Sequence, residues 1–335
     1  MKPLISIIIP NYNGEATLDA CLAAVTSLKD HHYELIVVDD GSDDHSVAII
    51  KRYRCKLVES AEHLGAAHAR NIGAQYARGE YIFFTDADCI MQQKTLTQIR
   101  ASLSQSCSRA IIGGTYSVQP YDRSFFSRFQ SVFINYFETK HRHRADYIAS
   151  HAMLIKTELF RSSGGFDEEQ WPILEDVEFS HRCRSAGTAL VMQPAIQVQH
   201  IFNYSLLDSC RNAMRKTRYW VQYSLKNQDL LADSGTASVE LKFNVCIFFS
   251  CLLLLLLYGL THDYALLLVI VISLCGVNVY LNARLLKAFY DAGGVIFALA
   301  ASAYYLLCYP LPVALGAFAG FSDSLLNIER KPGYS

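Results

Sequence analysis

Several protein classes are excluded by what this sequence lacks. Its ten cysteines form no CxxC pair and no Cys/His cluster with zinc spacing, which argues against a structural metal site. They suggest no disulfide framework either, consistent with a reducing compartment. Cys246, Cys251, Cys275 and Cys308 lie inside apolar runs, where cysteine behaves as a small hydrophobe. An excess of one charge is also missing. Thirty Lys+Arg face 31 Asp+Glu, so net charge gives no sign of a nucleic-acid partner. There is no internal repeat and no low-complexity tract. The first apolar run, Leu4–Ile9, is too short for a signal-peptide core and ends at Pro10. It reads as a buried strand, and the large N-terminal domain is expected to stay on the cytoplasmic side.

What is present is unevenly spread. A length of 335 residues divides into about two domains. Residues 1–240 read as an ordinary soluble domain, long enough to bury a large core. Residues 243–321 are dominated by Leu, Val, Ile, Ala and Phe.

Strand and helix alternate over the first ninety residues. Leu4–Ile9 is a continuous β-branched run, the pattern of a strand buried on both faces. Ala16–Leu28 has helical spacing. Glu34–Val38 is a second strand, ending in Asp39-Asp40-Gly41-Ser42, and Asp43/Asp44 can cap a helix through Tyr53. Cys55–Val58 is a short third strand, Ala66–Ala77 a small-residue helix, and Tyr81–Thr85 a fourth strand ending in Asp86-Ala87-Asp88. This alternation predicts a parallel α/β sheet, in which ligands bind beyond the carboxyl ends of the strands. Both acidic turns fall at that edge.

Beyond Ala110 the pattern loosens. Ala110–Gly114 and Tyr147–Ile155 read as strands flanking an aromatic segment, Phe125–Phe137. Asp176–Ala186 reads as a helix ended by Gly187, and Thr188–Met192 as a strand. A basic, aromatic stretch over 208–242, with Arg211, Arg215, Lys216, Arg218, Tyr219, Trp220 and Tyr223, suits an interfacial helix. Three hydrophobic stretches follow, Phe243–Leu260, Tyr264–Leu281 and Gly293–Phe321, the first two near the ~20 residues a span needs. Thr261-His262-Asp263 would make a tight hairpin between the first two. Arg284 and Lys287 mark the next link as a cytoplasmic loop. The third stretch, with Pro310 and Pro312, is either a kinked span or a re-entrant pair of half-helices.

Four groups carry chemistry. Asp86 and Asp88, one residue apart in a strand-end loop, can reach one Mg²⁺ or Mn²⁺ and the sugar beside it, and the ion would neutralise a departing diphosphate. Asp39 and Asp40 form a second acidic turn that can accept hydrogen bonds from a base or ribose, or simply cap the next helix. Arg70, in Arg70-Asn71-x-Gly73, can hold a phosphate or pair with an acidic loop. Glu175-Asp176 places carboxylates where one could deprotonate an acceptor hydroxyl, or serve only as a helix N-terminal pair. His200 is, on its own, a structural histidine more often than a ligand.

Together these pieces resemble the family 2 inverting glycosyltransferases. The order is Pro10-Asn11-Tyr12-Asn13 after a strand, Val37–Ser42, Ala69–Gly73, Phe84–Asp88, Gly164–Glu168, Glu175–Gly187 and His200, across roughly residues 3–205. The resemblance implies a GT-A, Rossmann-like nucleotide-sugar domain. It implies that Pro10–Asn13, Asp39, Asp40, Arg70 and Asp86 hold the nucleotide sugar. It also implies that Asp88, Asp86 and His200 serve a divalent metal, and that Asp176, with Glu175 beside it, is the base of a single inverting displacement. Ser150-His151 departs from the small acceptor loop expected there. Arg215-x-x-Arg218-Tyr219-Trp220 departs from the related processive motif, and no donor role is assigned to it.

The expected organisation is a GT-A domain over 1–207, interfacial helices over 208–242, two to three spans over 243–321, and a polar tail over 322–335. The expected partners are a nucleotide-sugar donor (a UDP-sugar first), a lipid-linked or cell-surface glycan acceptor, and membrane lipids, with no nucleic acid. A polyprenyl-phosphate acceptor is the first alternative, disfavoured because an ionised phosphate needs no base. A non-catalytic nucleotide-sugar-binding scaffold is the second.

Overall fold

The computed structural model describes residues 2–326 apart from 104–108, 143, 170 and 259–263. The chain divides after Asn203 into an N-terminal α/β unit and a helical unit, Tyr204–Glu329.

The elements of the first unit run β1 (Ile5–Asn11), α1 (Glu15–Thr26), β2 (Tyr33–Asp39), α2 (Ser46–Ile50), β3 (Lys56–Glu59), α3 (Ala66–Tyr76), β4 (Tyr81–Phe84), β5 (Cys89–Met91), α4 (Gln93–Leu103), β6 (Ala110–Tyr116), α5 (Phe125–Thr139), β7 (Met153–Lys156), α6 (Thr157–Ser162), α7 (Glu175–Ser185) and β8 (Ala189–His200). One eight-stranded sheet, ordered β3-β2-β1-β4-β7-β6-β8-β5, organises them.

The predicted parallel arrangement holds for β1 with β2 and β4, and for β2 with β3. It fails beyond β4. There β7 pairs antiparallel with β4 and β6, and β5 pairs antiparallel with β8. The sheet is therefore mixed. Every residue of β1 is buried, as a strand covered on both faces requires.

Pro10 does not end β1, contrary to the sequence reading. The ladder with β4 stops at Ile8 opposite Phe84, whereas the ladder with β2 runs on to Asn11 opposite Asp39. Thr85 N–H donates to Ile8 O, and Asp40 N–H donates to Asn11 O. Alternate residues thus face opposite neighbours, and the nitrogen of Pro10 faces the side that β4 has already left, where no donor is required.

Other boundaries differ for local reasons. The strand expected over Tyr147–Ile155 is only Met153–Lys156, preceded by a 3-10 turn at Ser150–Ala152. The strand expected over Thr188–Met192 continues to His200. The helix expected to run to Tyr53 stops at Ile50, although Asp44 does accept the Ser46 N–H. Gly187, at φ 84°, ends α7 as expected.

The core beneath the site joins Ile8, Val38, Ile82, Phe84, Ile155, Phe160, Phe166 and Phe179. Gly73 lets α3 lie close to the sheet, since a Cβ there would run into Ile8 and Val38.

The helical unit contains α8 (Leu206–Asn227), α9 (Val239–Tyr258), α10 (Tyr264–Leu281), α11 (Ala283–Ala303), a π-helical turn (Tyr304–Cys308) and α12 (Pro310–Leu325). Ser205 starts α8 with a capping box, its hydroxyl accepting the Asp208 N–H while the Asp208 carboxylate takes the Ser205 N–H. The link carrying Arg284 and Lys287 is not a loop but the first half of α11, which breaks at Gly294 (φ 71°, ψ −171°). The third hydrophobic stretch is interrupted there and again by the π-helical turn before Pro310. Helix α12 runs into the stretch expected to be a polar tail, and residues 327–335 lie outside the described residues, as does the Thr261-His262-Asp263 hairpin.

By length and composition, two helical stretches are apolar enough to cross a membrane, Val239–Leu257 and Ala283–Leu325, and Ala265–Leu281 is a shorter apolar helix. Leu253, Leu256, Leu266, Val269 and Ile272 on these helices are exposed, far more contiguous apolar surface than soluble proteins present. Alongside Leu285, Phe289 and Phe297 they bury a polar network. Asn244 Nδ2 donates to Tyr305 O, Asn278 Nδ2 to Asn244 Oδ1, Asn282 Nδ2 to Asn278 O and Oδ1, and Tyr305 Oη to Asn282 Oδ1. Asn244 thereby supplies a donor to a carbonyl of the π-helical turn.

Helix α8 packs along α12 at Gly316 and Gly320, where a Cβ would strike the backbone of Met214 and Arg218. The G-x-x-x-G spacing permits this close approach. Arg218 pairs with the buried Asp323, which also accepts from Gln222 at 2.7 Å.

Candidate active site

An open cleft of about 460 Å³ lies at the carboxyl edge of β1, β2 and β4, lined by Pro10–Gly14, Asp40, His63, Arg70, Asp86, Ala87 and Asp88 among others. Its floor is built by the strand ends. Asn11, the last residue of β1, donates from Nδ2 to Asp39 Oδ1 at 2.8 Å. Asp39 also accepts the Ser42 N–H and hydroxyl. Asn13, at φ 48°, gives its N–H to Ser42 Oγ and takes the Asp43 N–H on Oδ1.

Asp40 is buried and fully engaged. It accepts from the N–H groups of Leu64 and Gly65 and holds His63 Nδ1 at 2.8 Å. The His63 ring stacks on Tyr12, with centroids 3.7 Å apart. Tyr12 is half-exposed at the mouth of the cleft. His63 was not singled out from the sequence, and no local pattern marks it.

Arg70 ties the cleft together. Only 4% exposed, it donates from Nη2 to Asp86 Oδ1 and from Nη1 to Glu175 Oε1, both at 2.7 Å. Burial alone would lower its pKa, but Asp86 and Glu175 more than offset this and hold it above the usual value. Asn71, next on α3, accepts the Phe166 N–H and donates to Phe166 O and to Glu168. Consecutive residues of α3 thus fasten the acidic turn after β4 and the segment before α7.

Helix α7 begins under strain. Leu174, its N-cap, has φ 77°, an unfavourable conformation for a bulky residue, and it sets Glu175 and Asp176 at the first turn. Burial, then the Asp176 charge, push the Glu175 pKa up to about 7 despite Arg70. Asp176 Oδ2 accepts the Ser150 N–H at 2.9 Å.

Asp88 and His200 meet at the other side of the acidic turn, with Nε2 3.2 Å from Oδ2. Pairing of Cys89 with His200 across β5 and β8 fixes that approach. Burial opposes ionisation of Asp88, and His200 outweighs it, lowering the pKa. His200 Nδ1 is buried with no hydrogen-bond partner. Ligand atoms of Asp88, Cys89 and His200 lie within 4.8 Å of one another.

Behind this pair sits a cluster that the sequence did not announce. His200 stacks on Phe202, and Tyr116 packs edge-on against both. His151 stacks on Tyr116 with centroids 3.9 Å apart and lies 3.5 Å from Glu138. Burial opposes the charge on His151, and Glu138 restores it, raising the pKa.

The predicted residues therefore form two adjoining groups. Pro10–Asn13, Asp39 and Asp40 build the cleft floor, while Arg70 joins Asp86 to Glu175, beside Asp88–His200. The fold and the placement of acidic turns at the strand ends are those of a GT-A nucleotide-sugar domain. Residues 6–162, just under half of the chain, match the family described as glycosyl transferase family 2.

Among relatives, the glycosyltransferase GlyG of Streptococcus pneumoniae is 30% identical over 38% of this chain. WfgD of Escherichia coli, a UDP-Glc:alpha-D-GlcNAc-diphosphoundecaprenol beta-1,3-glucosyltransferase, is 35% identical over 34% of this chain. The matches span 44% and 46% of those relatives' own lengths. A mannosyltransferase of Pyrobaculum calidifontis, solved with GDP-Man and Mn²⁺, shares the fold at a TM-score of 0.58 and 17% identity, over 98% of this chain and 89% of its own.

Proposed function

We propose that the protein is a membrane-anchored inverting glycosyltransferase that moves a sugar from a nucleotide-diphosphate donor to a hydroxyl of a lipid-linked or cell-surface glycan. The observation that carries this reading is Arg70, which bridges the acidic turn after β4 and the first turn of α7. Donor-side and acceptor-side carboxylates are thereby set in one frame.

In this reading the nucleotide occupies the cleft beside Tyr12, Asn13, Asp39 and Asp40, with Arg70 and Asp86 toward the diphosphate. Asp176, oriented by Ser150 N–H, takes the proton from the acceptor hydroxyl as its oxygen attacks the anomeric carbon and the nucleoside diphosphate leaves. Glu175 serves Arg70 rather than the proton. Asp86, Asp88 and His200 would hold a divalent metal. The donor set of carboxylates and one imidazole suits Mn²⁺ or Mg²⁺, and the buried His200 Nδ1 has no hydrogen-bond partner of its own. Bound there, the ion would neutralise charge on the departing diphosphate. The UDP donor and the lipid-linked acceptor are supported by the likeness to WfgD, a UDP-Glc:alpha-D-GlcNAc-diphosphoundecaprenol glucosyltransferase. The exposed apolar helices support the anchor, with the N-terminal domain on the cytoplasmic side.

The test follows nucleoside diphosphate release by the full chain in detergent, against a donor panel, with Mn²⁺ or EDTA. Metal-dependent release from one donor, lost in Asp88→Ala, supports the reading. Tight donor binding without release, with or without glycan acceptors, overturns it in favour of a scaffold.

A further inference from the structure

The ends of α11 meet. Tyr305 Oη donates to Asn282 Oδ1 at 2.9 Å across a separation of 23 residues. A straight helix of that length would hold them about 34 Å apart, beyond the reach of the two side chains. The chain turns back at Gly294, whose φ of 71° and ψ of −171° leave the helical region. Phe289 and Phe297 meet across the bend, 6.1 Å between centroids. Each half is roughly ten residues, about 15 Å, half the hydrocarbon thickness. The asparagine network then gathers the start of α9, the end of α10 and both ends of this excursion in one place.

Helix α12 has a different constraint. It runs alongside α8 in the same direction, since Ser209 meets Tyr304, Met214 meets Gly316, Arg218 meets Gly320, and Gln222 meets Asp323. Over that length α8 carries Arg211 and Arg215, both exposed, which do not settle in hydrocarbon. A helix that shares its length with α8 stays at the level of α8. Yet α11 and α12 present large apolar side chains to the outside: Ile296 is 86% exposed and Phe318 74%.

We infer that, given the membrane anchoring proposed above, only α9 and α10 cross the bilayer, and that α8, the bent α11 and α12 form a shelf in the headgroup–acyl boundary of one leaflet. The occupant of the exposed apolar face is the lipid of that leaflet. Ile296, Leu299, Leu311, Leu315 and Phe318 enter the acyl region, while Arg211 and Arg215 stay at the phosphates. Both ends of the chain then face the same side.

Short epitope tags at the N-terminus, at the C-terminus and between residues 259 and 263 of the full chain, probed with protease in sealed vesicles of known orientation, decide this. The N- and C-terminal tags should be cut from one side and the internal tag from the other. A C-terminal tag that sides with the internal one overturns the inference and adds a third crossing. All three on one side overturns the anchoring itself. Spin labels at Ile296→Cys and Phe318→Cys, in a cysteine-depleted background, should report shallow immersion, and a midplane depth at either would overturn the shelf.

Discussion

The two units bury polar groups in opposite ways. The N-terminal unit buries charge: Arg70 between Asp86 and Glu175, Asp40 on His63, His151 on Glu138. The helical unit buries chiefly neutral polar groups, several serines and the amides of Asn244, Asn278 and Asn282, while most of its leucines face outward. Buried charge is worthwhile where a ligand will use the field it creates, and each ion is stabilised only by its partners. Buried amides close the hydrogen bonds of helices whose surroundings offer none. Under the proposed function, the contrast separates a reacting region from an anchoring one.

The sharpest break of the comparison is Asp176→Asn. It should lower kcat by about 10²–10⁴-fold with donor affinity nearly unchanged, measured by initial rates and donor titration. Full activity would remove Asp176 from the reacting region. Arg70→Met leaves Asp86 and Glu175 facing each other unpaired, and should destabilise the fold by about 3–5 kcal/mol, read from denaturant unfolding. A change below about 1 kcal/mol would mean that the charge cluster is better hydrated than its burial indicates.

In the other unit, Gly320→Leu forces α12 away from the Arg218 backbone. A loss of about 1–3 kcal/mol, followed by thermal unfolding in detergent, is expected there without change in donor affinity. The smallest effect is one of pH. The folded pKa of Glu175, about 7, lies above its ordinary value of 4.5. Its proton therefore favours the folded state at low pH, and that stabilisation is lost as pH rises from about 4.5 to about 7. Glu175→Gln should flatten this part of the stability profile, and an unchanged slope would assign it to another group.

Much of the reacting region was legible because its signals are local. A β-branched run followed by an acidic turn marks a strand and its carboxyl end at once, so Asp39, Asp40, Asp86 and Asp88 could be placed beside a ligand. The mixed half of the sheet was not legible. Strand β5 has three residues, too few to show alternation, and Gln193-Pro194 hides the continuation of β8, though the alternation from Ile196 to His200 was available as a signal. The engagement of Asp40 by residues 63–65 and the pairing of His151 with Glu138 depend on contacts distant in sequence, which composition and spacing do not encode. In the helical unit hydrophobicity gave the extent of the apolar region but not its bends. Nothing in the residue type marks Gly294 rather than Gly293 as the bend, while Gly316-x-x-x-Gly320 was a readable sign of close helix packing.

The bond between Tyr305 and Asn282 makes residues 283–304 a detour whose entrance and exit are already joined. Segments of this kind can be lengthened, shortened or exchanged with little effect on the rest of a fold, because the distance to be bridged does not change. A chain with a short linker in place of the detour would keep α9, α10 and the α8–α12 pair in register. On the shelf inferred above, the detour is a cassette whose exchange alters the lipid contact without rebuilding the N-terminal unit.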